Sequence, residues 1–220
     1  FKGTFWIAYC VNYGGTGILR SKTGKAEGSY EDVKPDGPLT SRLSHLQPGD
    51  AVFVSRKPTG TLVLGNLLPG KRLYLLGTGT GLAPFMSLIR DPEIYEHFEH
   101  VVVVHGVRTT SELGYSECIR HDLPANELIG PEVRAKLRYY PTVTREPFRI
   151  QGRITHLLES GRLTADLGLP VLDPEHDRVM ICGSASMLRD TTAILDARGF
   201  AEGSSREPAH YLIERAFVES

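Results

Sequence analysis

Arg72-Leu-Tyr-Leu-Leu-Gly-Thr-Gly-Thr-Gly-Leu-Ala-Pro-Phe-Met-Ser-Leu-Ile89 is the stretch whose reading decides the fold. Residues 73–76 form a short apolar run of the kind that makes a buried strand. Gly77, Gly79 and Gly81 alternate after it, and Leu82, Pro84, Phe85, Leu88 and Ile89 then outline a helical apolar face. Pro84 is compatible only with the first turn of that helix, where its missing N–H is not needed. Strand, glycine turn and helix aim free N–H groups and the positive end of a helix dipole at one point, where an anion such as phosphate is stabilised. The spacing departs from the dinucleotide fingerprint G-x-G-x-x-G/A: the last position is Leu82 counted from Gly77, or Pro84 counted from Gly79. No Gly-Lys-Ser/Thr follows, which excludes a P-loop. The same shape also serves as a plain strand–helix connection, so the turn alone fixes no ligand.

Beyond this stretch, strand and helix signals alternate. Residues 101–104 are an unbroken valine run, the mark of a parallel strand buried on both faces. Residues 112–121 read as a helix, 137–144 as a strand, 154–160 as a short helix stopped by Gly161, and 178–182 as a strand. Residues 186–198 read as an amphipathic helix with Leu188, Ile194 and Leu195 on one face and Gly199 as its stop. Residues 210–218 read as a last strand. Such alternation predicts a doubly wound parallel sheet. Before the stretch the chain is rich in glycine, proline and β-branched residues, with strand candidates at 5–11, 51–56 and 61–64 and a helix candidate at 41–46. That half reads as a small β-barrel. With residues 65–70 as linker, two domains are expected, 1–68 and 69–220.

Bulk composition excludes several classes. The 25 basic and 26 acidic residues leave a net charge of −1, so nothing asks for nucleic acid or an anionic membrane. Cys10, Cys118 and Cys182 are too few and too scattered for a disulfide framework and point to a reducing, cytoplasmic setting. No apolar run reaches membrane-spanning length and no secretory leader pattern is present; the opening on Phe1 leads us to expect residues before it. No metal is expected. His97 and His100 stand three apart on an expected helix among acidic and aromatic neighbours, which reads as a solvated face, and no C-x-x-C pair exists. There is no G-x-S-x-G nucleophile elbow.

The second strand of the sheet ends in His105-Gly-Val-Arg108. An NAD site has an acid there for the ribose 2′-hydroxyl; Arg108 is the replacement expected for a 2′-phosphate. Arg145 follows the third strand, and Arg153 opens the next helix. Strand C-termini converge on the ligand crevice of a doubly wound sheet, so Arg108 and Arg145 project near one point and Arg153 can reach it. Singly, each reads as easily as a surface arginine. Together, three guanidinium groups repel unless a dianion lies among them. Cys182 and Gly183 end the fourth strand. Gly183 lets a ligand approach the backbone, and Cys182 reads as a small buried hydrophobe rather than a nucleophile. In the first half, Thr40 or Ser41 can cap a short helix, which is either a second anion site or an ordinary cap.

Six blocks carry a resemblance. Asp36-Gly-Pro-Leu-Thr-Ser-Arg-Leu43, Lys57-Pro-Thr-Gly-Thr61, Leu75-Leu-Gly-Thr-Gly-Thr-Gly-Leu-Ala-Pro-Phe-Met-Ser87, Tyr140-Pro-Thr-Val-Thr-Arg-Glu-Pro147, Val179-Met-Ile-Cys-Gly-Ser184 and Glu214-Arg-Ala-Phe-Val-Glu219 resemble, in order, the bacterial ferredoxin(flavodoxin)–NADP⁺ reductases. The resemblance runs from Asp36 to the end. It implies an antiparallel FAD-binding barrel followed by an NADP-binding α/β domain. It assigns Arg20, Gly37, Pro38, Leu39, Thr40, Ser41 and Thr59 to FAD. It assigns Thr78, Gly79, Thr80 and Gly81 to the NADP pyrophosphate, and Arg108, Arg145 and Arg153 to the 2′-phosphate. Cys182 and Gly183 fall in the nicotinamide pocket, Met187 is assigned to NADP, and Ala216 and Phe217 fall in a C-terminal segment that lies against the flavin and competes with nicotinamide. Cys182, Ala216 and Phe217 would thus place the reacting rings.

The implied function is electron transfer between NADPH and ferredoxin or flavodoxin, through hydride transfer between nicotinamide and flavin, by a monomer. The cofactor supplies the chemistry, so no acid–base pair is required. A flavin- or oxygenase-type reductase of the same superfamily, or a non-catalytic NADP-binding module, are the alternatives. Residues 1–35 depart from the family pattern. Arg20-Ser-Lys-Thr23 is the nearest match to Arg-x-Tyr-Ser/Thr, with Lys22 where a ring-stacking tyrosine is expected and a spacing to Gly37 several residues short. Lysine cannot stack as tyrosine does. The expectation is a barrel incomplete at its N-terminus, through incomplete or unreliable sequence rather than true divergence.

Overall fold

In the computed structural model, residues 8–11, 15–18 and 60–214 are described. Within the first half, β1 (Ala8–Val11) and β2 (Gly15–Ile18) form an antiparallel ribbon in the register Ala8↔Ile18 to Val11↔Gly15. The candidates at 41–46 and 51–56 lie outside the described residues. The strand expected at 61–64 does not form. The Thr61 carbonyl accepts from Val63 N–H at 3.0 Å and from Asn66 Nδ2 at 3.1 Å, which curls the chain into a 3-10 turn, Leu64–Asn66.

The apolar run becomes β3 (Arg72–Thr78), flanked by β4 (His100–Val107) and β6 (Asp177–Cys182); β5 (Leu137–Val143) and β7 (Tyr211–Glu214) lie outside them. All five are parallel, in the order β5-β4-β3-β6-β7. Side chains alternate across a strand, so a central strand with both faces covered is apolar at every position. Leu73 and Leu75 go to one layer, and Tyr74 and Leu76 to the other; all four are fully buried. The first layer is completed by α1 (Ala83–Leu88), α2 (Glu93–His97) and α3 (Gly130–Lys136), through Phe85, Met86, Ile94 and Val133. The second is completed by α4 (Ile154–Glu159), α5 (Arg162–Asp166) and α6 (Ala185–Asp196), through Ile154, Leu157, Leu163, Leu188 and Leu195. Gly161 (φ 71°) and Gly199 (φ 83°) take left-handed conformations at the helix ends where stops were expected.

Two expected elements differ. Residues 112–121 are not one helix. A 3-10 turn, Thr110–Glu112, is followed by Gly114 and by Tyr115 at φ 65°, and only then by a π turn, Cys118–Asp122. A left-handed tyrosine breaks a helical path, so the apolar spacing there reports packing of separate turns. Likewise His97 and His100 share no helix. Phe98 is extended (φ −123°, ψ 140°), which ends α2 at His97 and leaves His100 to begin β4.

The linker stretch is tied to the sheet. Leu67 pairs with Ala209, and Arg178, itself buried, donates to the carbonyls of Leu68 (2.9 Å), Pro174 (2.8 Å), Pro69 and Asp177. Beside it, the fully buried Asp177 carboxylate takes a two-pronged pair from Arg72, Nε to Oδ1 at 2.5 Å and Nη2 to Oδ2 at 3.1 Å, and the Asp173 N–H at 2.8 Å. Removing one partner leaves the other charge buried and uncompensated, which costs roughly 3–5 kcal/mol. Asp177→Ala should therefore lower the unfolding free energy from urea titration by about that amount; a loss under about 1 kcal/mol would show the pair to be energetically idle.

Candidate nucleotide-binding site

The site begins where β3 runs out. Gly79 adopts φ 55°, a conformation glycine reaches without penalty, and the chain turns through a 3-10 segment, Gly79–Leu82, into α1, with Pro84 in its first turn. This turn lies against the end of β6. A Cβ on Gly81 would stand 2.3 Å from the Cys182 carbonyl oxygen, and one on Gly183 would stand 2.2 Å from Thr78 Oγ1 and 3.3 Å from Met187 Sδ. Those contacts bring Thr78, Gly79, Thr80, Gly81, Cys182, Gly183 and Met187 to one place. Gly79 and Thr80 are exposed, while Cys182 is fully buried. Ser184 caps α6, its Oγ accepting from Met187 N–H at 3.4 Å, and its own N–H points to Thr78 Oγ1 at 3.4 Å.

One strand further out, Arg108 follows β4, Arg145 follows β5 and Arg153 precedes α4. Arg145 N–H donates to the Arg108 carbonyl at 2.9 Å, and Thr144 N–H to the Val107 carbonyl at 3.1 Å, so the ends of β4 and β5 stay paired as they leave the sheet. Gly152 N–H returns to the Val143 carbonyl at 3.1 Å and Thr142 Oγ1 donates to the Gly152 carbonyl at 2.7 Å, which sets Arg153 at the start of α4. All three arginines are exposed, and none forms an ion pair among the described residues.

Sequence reasoning missed two acids in this cluster. Glu112 Oε2 accepts the Arg108 N–H at 2.9 Å, and Glu146 Oε1 accepts the Thr110 N–H. Hydrogen bonds from Thr110 hold the Glu146 carboxyl below the usual carboxylate range. Each carboxylate bonds a backbone group through one oxygen, and neither forms an ion pair with the three arginines among the described residues. The signal was the spacing: Glu112 is four residues past Arg108, and Glu146 adjoins Arg145.

A further residue escaped notice. His105 on β4 is 1% exposed, and its Nδ1 lies 3.0 Å from Tyr139 Oη. Burial pushes its pKa down to about 4, opposed by the Gly79 backbone, so the ring is neutral at pH 7. At the opposite end of the strands, Asp173, Glu175 and His176 bring ligand-type atoms within 4.8 Å of one another, but Asp173 is already hydrogen-bonded to the other two. Arg20, Gly37, Pro38, Leu39, Thr40, Ser41, Thr59, Ala216 and Phe217 lie outside the described residues.

The oxidoreductase NAD-binding domain family matches residues 75–193, from the strand of the glycine turn into α6. The chain is 61% identical over 186 residues to the ferredoxin–NADP reductase of Pseudomonas aeruginosa, covering 84% of this chain and 72% of that protein. It belongs to the ferredoxin–NADP reductase family. Another reductase of that family, ferredoxin–NADP reductase A of Sorangium cellulosum, is 60% identical over 184 residues, covering 84% of this chain and 66% of the relative. The chain thus spans about two thirds to three quarters of the lengths of these two reductases. A solved ferredoxin NADP⁺ reductase from Neisseria gonorrhoeae, with bound FAD and NADP, has a TM-score of 0.72 and 27% identity over 96% of this chain and 79% of that one.

A methyl group at position 81 can be accommodated only by parting the turn from β6, because the atoms it meets are backbone. Gly81→Ala should lower stability by roughly 1–3 kcal/mol and weaken dinucleotide binding at least about tenfold. Wild-type binding in a folded Gly81→Ala protein would show that the close approach does not shape the site.

Proposed function

We propose that this chain acts as an FAD-dependent reductase that moves electrons between NADPH and ferredoxin or flavodoxin. The observation that carries the reading is the Arg145–Arg108 backbone hydrogen bond. It sets Arg108 and Arg145, which form no ion pair among the described residues, just past the C-terminal ends of adjacent strands, next to a turn that has no room for a side chain at Gly81. A 2′-phosphate is the dianion that such a pair fits, and the turn beside it fits a pyrophosphate through backbone N–H groups. The names of the relatives and the NADP bound in the Neisseria protein support the same ligand.

On this reading residues 69–220 form the NADP domain and residues 1–68 contribute an antiparallel FAD barrel. Arg108, Arg145 and Arg153 bind the 2′-phosphate, Thr78 to Gly81 receive the pyrophosphate, and Cys182, Gly183 and Met187 border the nicotinamide. FAD, when bound, supplies the partner for hydride transfer. The protein's own part is placement: the buried Cys182 offers a small apolar wall, and Gly183 leaves the backbone open to a flat ring.

Two experiments test the proposal. Anaerobic NADPH should bleach the flavin absorbance of the purified protein; a protein that binds NADPH yet carries no flavin would mark a binding module instead. Arg108→Ala and Arg145→Ala should each raise the KM for NADPH by about tenfold or more, the scale of a lost charge-assisted hydrogen bond, with the KM for NADH changed under about twofold. Equal effects on both nucleotides would remove the 2′-phosphate assignment.

A further inference from the structure

The paired register of β4 and β5 ends at Val107↔Val143, yet hydrogen bonds go on joining the loops that follow. Thr144 N–H and Oγ1 both donate to the Val107 carbonyl, at 3.1 and 3.2 Å, and Arg145 N–H donates to the Arg108 carbonyl at 2.9 Å. The next link is a side chain: Glu146 Oε1 accepts the Thr110 N–H. Thr110 opens the 3-10 turn Thr110–Glu112, and the first N–H groups of such a turn have no partner inside it. Glu146 therefore caps one loop from another. The turn's own acid, Glu112, reaches back to the Arg108 N–H at 2.9 Å. Arg108 is thus held at both of its peptide groups, the N–H by Glu112 and the carbonyl by Arg145. Residues 108–110 and 145–146 close a ring through two bonds. One is backbone to backbone; the other exists only through the Glu146 side chain. The Glu146 backbone is tied in turn, its carbonyl accepting from Gln151 Nε2 at 3.4 Å.

We infer that Glu146 is a positioning residue for the choice of NADP over NAD: its carboxylate fastens the loop after β4 to the loop after β5, so that both arginine-bearing loops meet one 2′-phosphate together. The inference rests on the NADP reading above. A carboxylate next to Arg145 costs affinity for a dianion, because like charges repel. Its presence there calls for a compensating gain, and that gain is order. A phosphate taken by Arg108 and Arg145 must be gripped from two loops, and any freedom those loops keep before binding is lost on binding at the expense of affinity. The arginine side chains supply no such tie: both are exposed and neither forms an ion pair among the described residues. Glu146 touches no ligand; it acts through the loops. Glutamine keeps the acceptor oxygen and removes the charge, whereas alanine removes both, so the two substitutions separate the tie from the charge.

Calorimetric titration of the purified full chain with NADP⁺ and NAD⁺, in Glu146→Gln and Glu146→Ala, tests the role. Glu146→Gln should bind NADP⁺ at least as tightly as wild type and at least about fivefold more tightly than Glu146→Ala. Affinity for NAD⁺ should stay within about twofold of wild type in both variants. In NMR hydrogen exchange the Thr110 amide should exchange at least about tenfold faster in Glu146→Ala than in wild type, with Glu146→Gln close to wild type. Equal NADP⁺ affinities in the two variants would overturn the role, whether both rise, as repulsion alone predicts, or both fall, as a need for the charge itself predicts, or neither changes. Unchanged Thr110 exchange in Glu146→Ala would overturn it, and so would an equal loss of NADP⁺ and NAD⁺, which would mark general damage to the crevice. The wild-type titrations keep the two readings apart. Equal wild-type affinity for the two nucleotides would remove the 2′-phosphate assignment itself, whereas a wild-type preference for NADP⁺ with the two variants alike would remove the role of Glu146 alone.

Discussion

Gly81 sits so close to the end of β6 that a Cβ there would be 2.3 Å from the Cys182 carbonyl. That approach is the constraint on which the rest of the site depends. It draws a turn leaving the central strand onto the strand beside it. Gly183 is forced by the same crowding from the other side, where Thr78 Oγ1 fills the space a side chain would need. The sheet makes the approach possible because β3 and β6 are in register up to Gly77↔Cys182, and both are locked between two apolar layers. Packing energy in the layers thus sets the geometry of a place that contains little side-chain packing of its own.

Charge follows from the same topology on the other side of β3. The ends of β4 and β5 remain hydrogen-bonded beyond the last residues of the sheet, so the backbones of Arg108 and Arg145 are held side by side. The two acids that could neutralise them face the backbone instead, at Arg108 N–H and Thr110 N–H. Carboxylates used in this way tie the loops to the strand ends and leave the arginine side chains free of direct ion pairs among the described residues. Exposed side chains with unpaired charge contribute little to stability. Their concentration at strand ends is therefore better explained by recognition than by folding.

The parallel sheet was legible because strands buried on both faces need no periodicity: residues 73–76 and 101–104 are simply apolar. The glycine turn was legible from its position between such a run and a proline-opened helix, and the arginines from their places just past strand ends. Three things were not. Tyr115 takes a left-handed backbone that no propensity announces, which turned an apparent helix at 112–121 into two short turns. Thr61 begins a turn through hydrogen bonds to its carbonyl, although its neighbours favour a strand. His105 closes an apolar strand and looks like its polar end, yet it is 1% exposed because the turn after β3 and the Tyr139 ring cover it. Each depends on partners that are distant in sequence or on a backbone state, and neither is written in local pattern.

The central claim is that one crevice, formed by the ends of β3, β4, β5 and β6, is built for a dinucleotide with a 2′-phosphate. Direct calorimetric titration of the purified protein with NADP⁺ and NAD⁺ at matched ionic strength tests it without reference to turnover. The account predicts that NADP⁺ binds at least about a hundredfold more tightly, the scale of two charge-assisted contacts. Equal affinities for the two nucleotides would contradict it.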